Sequence, residues 1–255
     1  MGNKTHITAL LLAATLSGPA FAEDPIEPAA IEALHAMGAH LAGLQTFALT
    51  SQTEMEVVLD DDQKLLIGGT VQYQVQRPDH MRIDLKTDVI DRQLYYDGKT
   101  VSYVSPTEGY YAQIENAPPT IKEVLDYTAD TYSVSFPAAD LFQWGTKDEP
   151  IDQIKEAFKV GTATINGAQT DHWAFRTDDQ DWEVWLRTDG TSLPARISVV
   201  DRQDDARPRF VATYSWDEQA KPASDIFTYQ PPEGAKRIDF LETELAPDDE
   251  TEPQQ

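Results

Sequence analysis

Asp181–Val199 reads DWEVWLRTDGTSLPARISV. In its first seven residues Trp182, Val184 and Leu186 share one parity, while Asp181, Glu183, Trp185 and Arg187 share the other. A period of two with one apolar edge is the signature of a strand half-buried in a sheet. The run just before it, DHWAFR (Asp171–Arg176), alternates in the same way, and TDDQ (Thr177–Gln180) joins the two. A register with Thr177 opposite Trp182 sets Phe175 against Val184 and Trp173 against Leu186 on one face. On the other face it sets Arg176 against Glu183, Ala174 against Trp185 and His172 against Arg187. Both faces are then satisfied by one pairing, with opposite charges opposed and the large ring lying over the smallest side chain. DGTSLPARISVV turns the chain again and sends out Ile197 and Val199.

The same period extends outward in both directions. Phe47, Leu49, Met55, Val57 and Leu59 alternate with polar residues, as do Val71, Tyr73 and Val75, and then Met81, Ile83 and Leu85. Asp97–Gly98 and Asn166–Gly167 are two-residue hairpin signals. EGYYAQI, PRFVATYSW and DIFTYQPPEGAKRI supply further strands. Helical spacing occurs in two regions. After Pro28, Ile31, Leu34, Met37, Leu41 and Leu44 form one stripe, and after APP, Thr120 and Glu123 form a T-x-x-E capping box. FPAADLFQW and EPIDQIKEAF read as two further short helices, with Leu141, Phe142, Trp144, Ile151, Ile154 and Phe158 available to cover a sheet or a pocket mouth. The expected fold is α+β. It is an antiparallel sheet of about 10–11 strands, with an N-terminal helix and further helices in the middle of the chain.

Composition narrows the function. The chain has 255 residues, with 44 acids against 20 bases and a formal net charge of −24. Such a field repels phosphate backbones and anionic headgroups, so nucleic acid is not an expected partner. Lys4 followed by ITALLLAATLS and AFA (Ala20–Ala22) has the form of a cleavable signal peptide, too short to span a bilayer. Residues 1–22 are therefore expected to be removed, residues 23–240 to form a single domain, and the acid-rich, base-free segment 241–255 to be a disordered tail. There is no cysteine. Disulfides, thiolate chemistry and lipidation at the cleavage site are thereby excluded. The expectation is a periplasmic protein with no stable membrane anchor.

Catalytic patterns are missing from the sequence. It contains no G-x-S-x-G, no H-E-x-x-H, no phosphate-binding glycine loop and no dinucleotide fingerprint. His35 and His40 lie five apart on a helix, poor spacing for a metal. The acids of LDDDQK lack calcium-loop spacing and read as a hairpin tip. Asp171 and His172 are strand neighbours pointing to opposite faces, so they form no dyad by themselves. Neither an enzyme nor a cofactor or metal is expected.

The order of segments carries a resemblance. LQTFALTSQ ends the first helix, RPDHMRIDL and YYDGKTVSYVSP lie in the strand meander, and helices follow. WEVWL, LPARI and a closing FTYQPPEGAKRI complete the series. Taken together they resemble the lipoprotein-localisation fold, the half-barrel of periplasmic lipoprotein carriers and receptors. More closely, they resemble an uncharacterised family of predicted periplasmic proteins with that fold. The resemblance implies that helices cover the concave face. Phe47, Leu49, Tyr73, Val75, Met81, Ile83, Trp173, Phe175, Trp182, Val184 and Leu186 would line it. That face either packs solid or admits an acyl chain, each buried methylene contributing ~0.8 kcal/mol. Two functions are expected from this. One is a non-catalytic carrier or chaperone for a lipid, an acyl chain or an acylated protein. The other is an interaction or envelope-stress regulatory module whose acidic surface meets a basic protein partner.

Overall fold

Each period-two run finds a neighbour to which it presents its apolar edge, and one sheet results. The computed structural model describes residues 25–240, so the expected signal peptide and acidic tail lie outside the described residues. In chain order the strands are β1 (Thr46–Val58), β2 (Lys64–Gln76), β3 (His80–Thr87), β4 (Asp91–Asp97), β5 (Thr100–Ser105) and β6 (Tyr110–Glu115). Then come β7 (Glu156–Ile165), β8 (Ala168–Arg176), β9 (Gln180–Arg187), β10 (Pro194–Asp201), β11 (Arg209–Asp217) and β12 (Lys236–Arg237). Helix α1 (Pro28–Gly43) precedes them and α2 (Ile121–Tyr132) divides β6 from β7. The strands form one curved, open sheet in the order β12-β6-β5-β4-β3-β2-β1-β11-β10-β9-β8-β7. Ten neighbouring pairs are antiparallel; β12 runs parallel to β6.

Alternation sorts the side chains into rows that cross the strands. One row runs Ile114, Val101, Tyr96, Met81, Val75 and Phe47. The next runs Ala112, Tyr103, Leu94, Ile83, Tyr73 and Leu49. In the other half, Phe210, Val199, Trp182, Phe175 and Ala157 form one row, and Ala212, Ile197, Val184 and Trp173 the row beside it. Ala112 aside, these rows share one core cluster with Ala30, Leu34, Met37 and Leu41 of α1, with Ile121, Val124 and Leu125 of α2, and with Leu141, Phe142 and Trp144. Both helices thus share the core that these rows build. Helix α2 starts at the capping box: Thr120 Oγ1 accepts from the Glu123 N–H at 3.3 Å and donates to the Glu123 carboxylate at 2.8 Å.

Four expectations are corrected. The β8–β9 hairpin is tighter than the pairing drawn from sequence: Phe175 faces Trp182, Trp173 faces Val184, Arg176 faces Asp181 and His172 faces Trp185. Thr177 closes a two-residue turn, donating its N–H to Gln180 O at 2.9 Å and accepting from Gln180 N at 3.1 Å. The Arg176 guanidinium also forks onto Asp181, at 2.6 and 3.3 Å. The slip is two residues, so every side chain stays on its expected face. Second, the sheet has twelve strands because Lys236–Arg237 adds to β6. Third, the two mid-chain helices are single 3-10 turns, Ala139–Phe142 and Pro150–Gln153. Left-handed Ala138 (φ 69°) and Gly145 (φ 73°) break the first stretch. The end of the second enters β7, where Ala157 N donates to Pro25 O at 2.9 Å. Fourth, DIFTYQPPEGAKRI is a 3-10 turn (Ser224–Phe227) and an irregular segment before β12, since Pro231 and Pro232 have no N–H to give a ladder.

Candidate functional site

The expected lining residues are brought onto one face and mostly sealed there. Phe47, Leu49, Tyr73, Val75, Met81, Ile83, Trp173, Phe175, Val184 and Leu186 are all buried, and Trp182 is half-buried against the same cluster. Phe47 and Leu49 border a space of about 10 Å³ together with Phe142 and Trp216. A larger opening lies at the β9–β10 end.

A cleft of about 190 Å³ opens there between the two layers. Its sheet wall is Trp182 and Val184 of β9 with Ile197 and Val199 of β10, neighbours in the two rows described above. Met37 of α1 and Trp144, which follows the first 3-10 turn, form the opposite wall. The indoles of Trp144 and Trp182 lie 6.1 Å apart with their planes at 52°. Trp182 is held by a stack on Phe175, 4.1 Å between centroids and 16° between planes. Polar groups are supplied by Asp140, Gln143 and Gln153 on one side and Thr177, Asp179 and Gln180 of the β8–β9 turn on the other.

Helix α1 is seated against this region by a backbone-to-backbone contact. A Cβ on Gly38 would meet Gly145 N at 2.6 Å, and Gly145 itself needs a positive φ of 73°. Only glycine at both positions permits that approach without displacement. Met37 and Trp144, each next to a glycine of the seam, face the cleft as a consequence.

Asp140 dominates the electrostatics. Solvent reaches its side chain, but the surrounding protein strips away much of its hydration and raises its pKa. Hydrogen bonds from the backbone N–H groups of Asp140 and Leu141 pull the other way. The same carboxylate, after burial, helps raise the phenol pKa values of Tyr73 and Tyr214. Tyr73 donates its hydroxyl to Pro137 O, which ties the segment before the 3-10 turn to the sheet.

The opposite face of the sheet has its own features. The His172 ring stacks on Trp185 at 4.0 Å and 12°, and Arg196 lies 5.8 Å from the same indole. Burial lowers the His172 pKa, opposed by Glu183, whose carboxylate lies 3.4 Å away. This histidine packs a strand pair together. A second recess of about 200 Å³, beside Phe158, Phe175 and Trp182, is bordered by the charged groups Glu156, Arg176, Asp181, Glu183 and Arg209. Among the described residues no group of three or more His, Asp or Glu is placed to hold a metal ion, and no helix is long and apolar enough to cross a membrane.

The apolar sheet wall of the cleft was legible from alternation. Ile197 and Val199 belong to that wall, and Trp144 was expected to cover a sheet or a pocket mouth; Met37 and Gln143 join the cleft only through the packing of α1 and the 3-10 turn. Asp140 carries no sequence signal, being one of 44 acids.

No curated protein matches the chain. Among solved structures it is similar to the Mycobacterium tuberculosis lipoprotein LppX, at 12% identity and a TM-score of 0.48, over 76% of this chain and 98% of that one. It is similar to a chain of the Pseudomonas aeruginosa MucA/MucB complex, at 14% identity and 0.43, over 79% of this chain and 61% of that one. A LolA superfamily protein from Nitrosomonas europaea gives 10% identity and 0.36, over 78% and 97%. A family model described as "Predicted periplasmic protein (DUF2092)" matches residues 30–241, and the chain belongs to that family.

Proposed function

We propose that this is a non-catalytic periplasmic carrier or chaperone that binds a hydrophobic ligand, such as a lipid, an acyl chain or an acylated protein, in the concave face of a half-barrel closed by α1 and α2. The observation that carries the reading is the cleft at β9–β10, where the apolar rows of the sheet become accessible between the two layers. Its volume of about 190 Å³ is below the ~300 Å³ at which ordinary ligand pockets begin. A whole acyl chain therefore enters only as Trp144 and the 3-10 segment move off the sheet. The eleven residues expected from sequence are then the surface a chain lies on, reached from the Trp182–Val184 end. No catalytic group is required.

Export belongs to the same reading: cleavage before Glu23 yields an unlipidated mature chain. The test is native mass spectrometry of protein purified from its own periplasm, followed by lipid extraction. The expected result is a mass beginning at Glu23 with an added ligand that solvent removes. A ligand-free mass that takes up no fatty-acid or phospholipid probe overturns the carrier reading.

A second reading, a protein-interaction module, is favoured by the β1–β2 hairpin. Met55, Leu59 and Leu65 are exposed there, Leu66 is exposed on the other face of the ribbon, and Asp60, Asp61 and Asp62 form its tip. Exposed apolar side chains beside acids suit a basic partner. Such a contact weakens as salt rises and is lost on replacing Leu65 and Leu66 with serine, which a pull-down at two salt concentrations reads directly.

A further inference from the structure

We propose that the cleft reads the head of its ligand, and that the head is an organic ammonium group. The inference rests on the carrier reading and adds the ligand's chemical class. Trp144 and Trp182 border the cleft side by side, 6.1 Å apart with planes at 52°, so the two rings are not stacked on one another. Indole faces carry negative electrostatic potential and attract a cation placed over them, most strongly when it is desolvated. Two carboxylates, Asp140 and Asp179, border the same space, and no lysine, arginine or histidine does. Neither carboxylate has an ion-pair partner among the described residues. Asp140 thus stands as a negative charge met by backbone N–H groups but by no cationic side chain, beside the rings and methyls of the wall. The remaining polar groups are amides and a hydroxyl, which tolerate a cation and neutralise no anion.

Size agrees with this assignment. A cavity of about 150 Å³ admits benzene, so 190 Å³ holds a trimethylammonium or aminoethyl head but not a lipid. A fatty-acid carboxylate would be a third negative charge in a space without a positive one. An alcohol head would satisfy Asp140 by one hydrogen bond and leave both indole faces unused.

Three probes with the same ten-carbon chain separate the possibilities: decyltrimethylammonium, decanol and decanoate, titrated against the full mature chain by tryptophan fluorescence and calorimetry. The ammonium probe is expected to bind at least tenfold more tightly than decanoate, about 1.4 kcal/mol, with decanol between. Asp140→Asn should remove most of that preference. Glu32→Gln, which deletes an exposed acid on α1 away from the cleft, should leave it intact and so control for the acidic surface at large. Equal binding of all three probes, decanol binding as tightly as the ammonium probe, or a preference that Glu32→Gln erases as fully as Asp140→Asn would overturn the ammonium assignment and leave the carrier reading standing. If none of the three binds, both fall. The wild-type comparison decides the first two outcomes even where a variant does not fold.

Discussion

At the scale of one residue, Asp140 is a carboxyl whose pKa the fold raises although solvent still reaches it. Its pKa is raised in the folded chain, with burial as the first cause. A carboxyl that holds its proton more tightly when folded imposes no penalty below its unfolded pKa, where both states are protonated. The penalty develops as pH rises from that value and is complete above the folded pKa. Asp140→Asn is therefore expected to raise the melting temperature at pH 7, and the gain should shrink toward zero as pH falls to about 4, near the unfolded carboxylate pKa. Thermal melts of both proteins across pH 4–8 check the sign. A variant less stable at pH 7, or a gain that grows with acid, would contradict the account. Charge of this kind is invisible in the sequence, because identity fixes the carboxyl but only the fold fixes its hydration. The neighbouring Trp182 and Val184 were legible, since a period of two already commits them to one face.

At the scale of elements, parity was readable and register was not. The β8–β9 strands keep every side chain on its expected face although the pairing slips by two residues, because the face depends only on odd or even position. The register instead depends on a threonine hydroxyl and an arginine fork at the turn, details that TDDQ does not announce. Helix α1 was legible from its stripe and α2 from its capping box. The mid-chain segments differ from expectation because Ile151, Ile154 and Phe158 imitate helical spacing, whereas left-handed Ala138 and Gly145 bound the first turn and the second gives way to β7. The seam between Gly38 and Gly145 was equally unreadable, yet it decides where α1 sits. Gly38→Ala places a methyl 2.6 Å from a backbone nitrogen that no side-chain rotation can move. Overpacking of this kind typically costs about 1–3 kcal/mol, offset in part by alanine's better helix propensity of up to ~1 kcal/mol. The expected outcome is a net loss of stability in urea together with a wider β9–β10 cleft, seen as greater exposure of Trp144 and Trp182 to acrylamide quenching. A variant as stable as the parent with unchanged quenching would show that α1 is not seated through this contact.

The eleven antiparallel strands β1–β11 leave two edges, β6 and β7, and segments of the same chain pair with part of each. At β7, Glu27 N donates to Ala157 O at 2.8 Å, and the Glu27 carboxylate accepts from Lys159 N at 3.1 Å. At β6, Lys236 N donates to Gly109 O and Ile238 N to Tyr111 O, each at 2.9 Å, and Arg237 pairs with Glu115 at 3.1 Å. The C-terminal segment also holds β6 from two sides. Tyr229 packs on Tyr95 and Tyr111, each at 5.3 Å, while Phe240 packs on Tyr132 at 4.6 Å and on Tyr103 at 6.3 Å. An uncovered edge invites pairing with another chain, but a net charge of −24 works against any meeting of two copies. Ending the chain after Phe227, whose ring stays buried beside His80, removes the cover and leaves a large excess of acids. At low ionic strength repulsion should keep this shortened protein monomeric. As salt approaches about 1 M the screening length falls to ~3 Å, and β6 edges can then pair. Light scattering after size exclusion should show a dimer or larger species for the shortened chain only, growing with salt, while the full chain remains monomeric throughout. A shortened chain that stays monomeric at high salt would mean that β6 needs no cover, and that the C-terminal segment serves the Tyr103–Tyr132 face rather than the sheet edge.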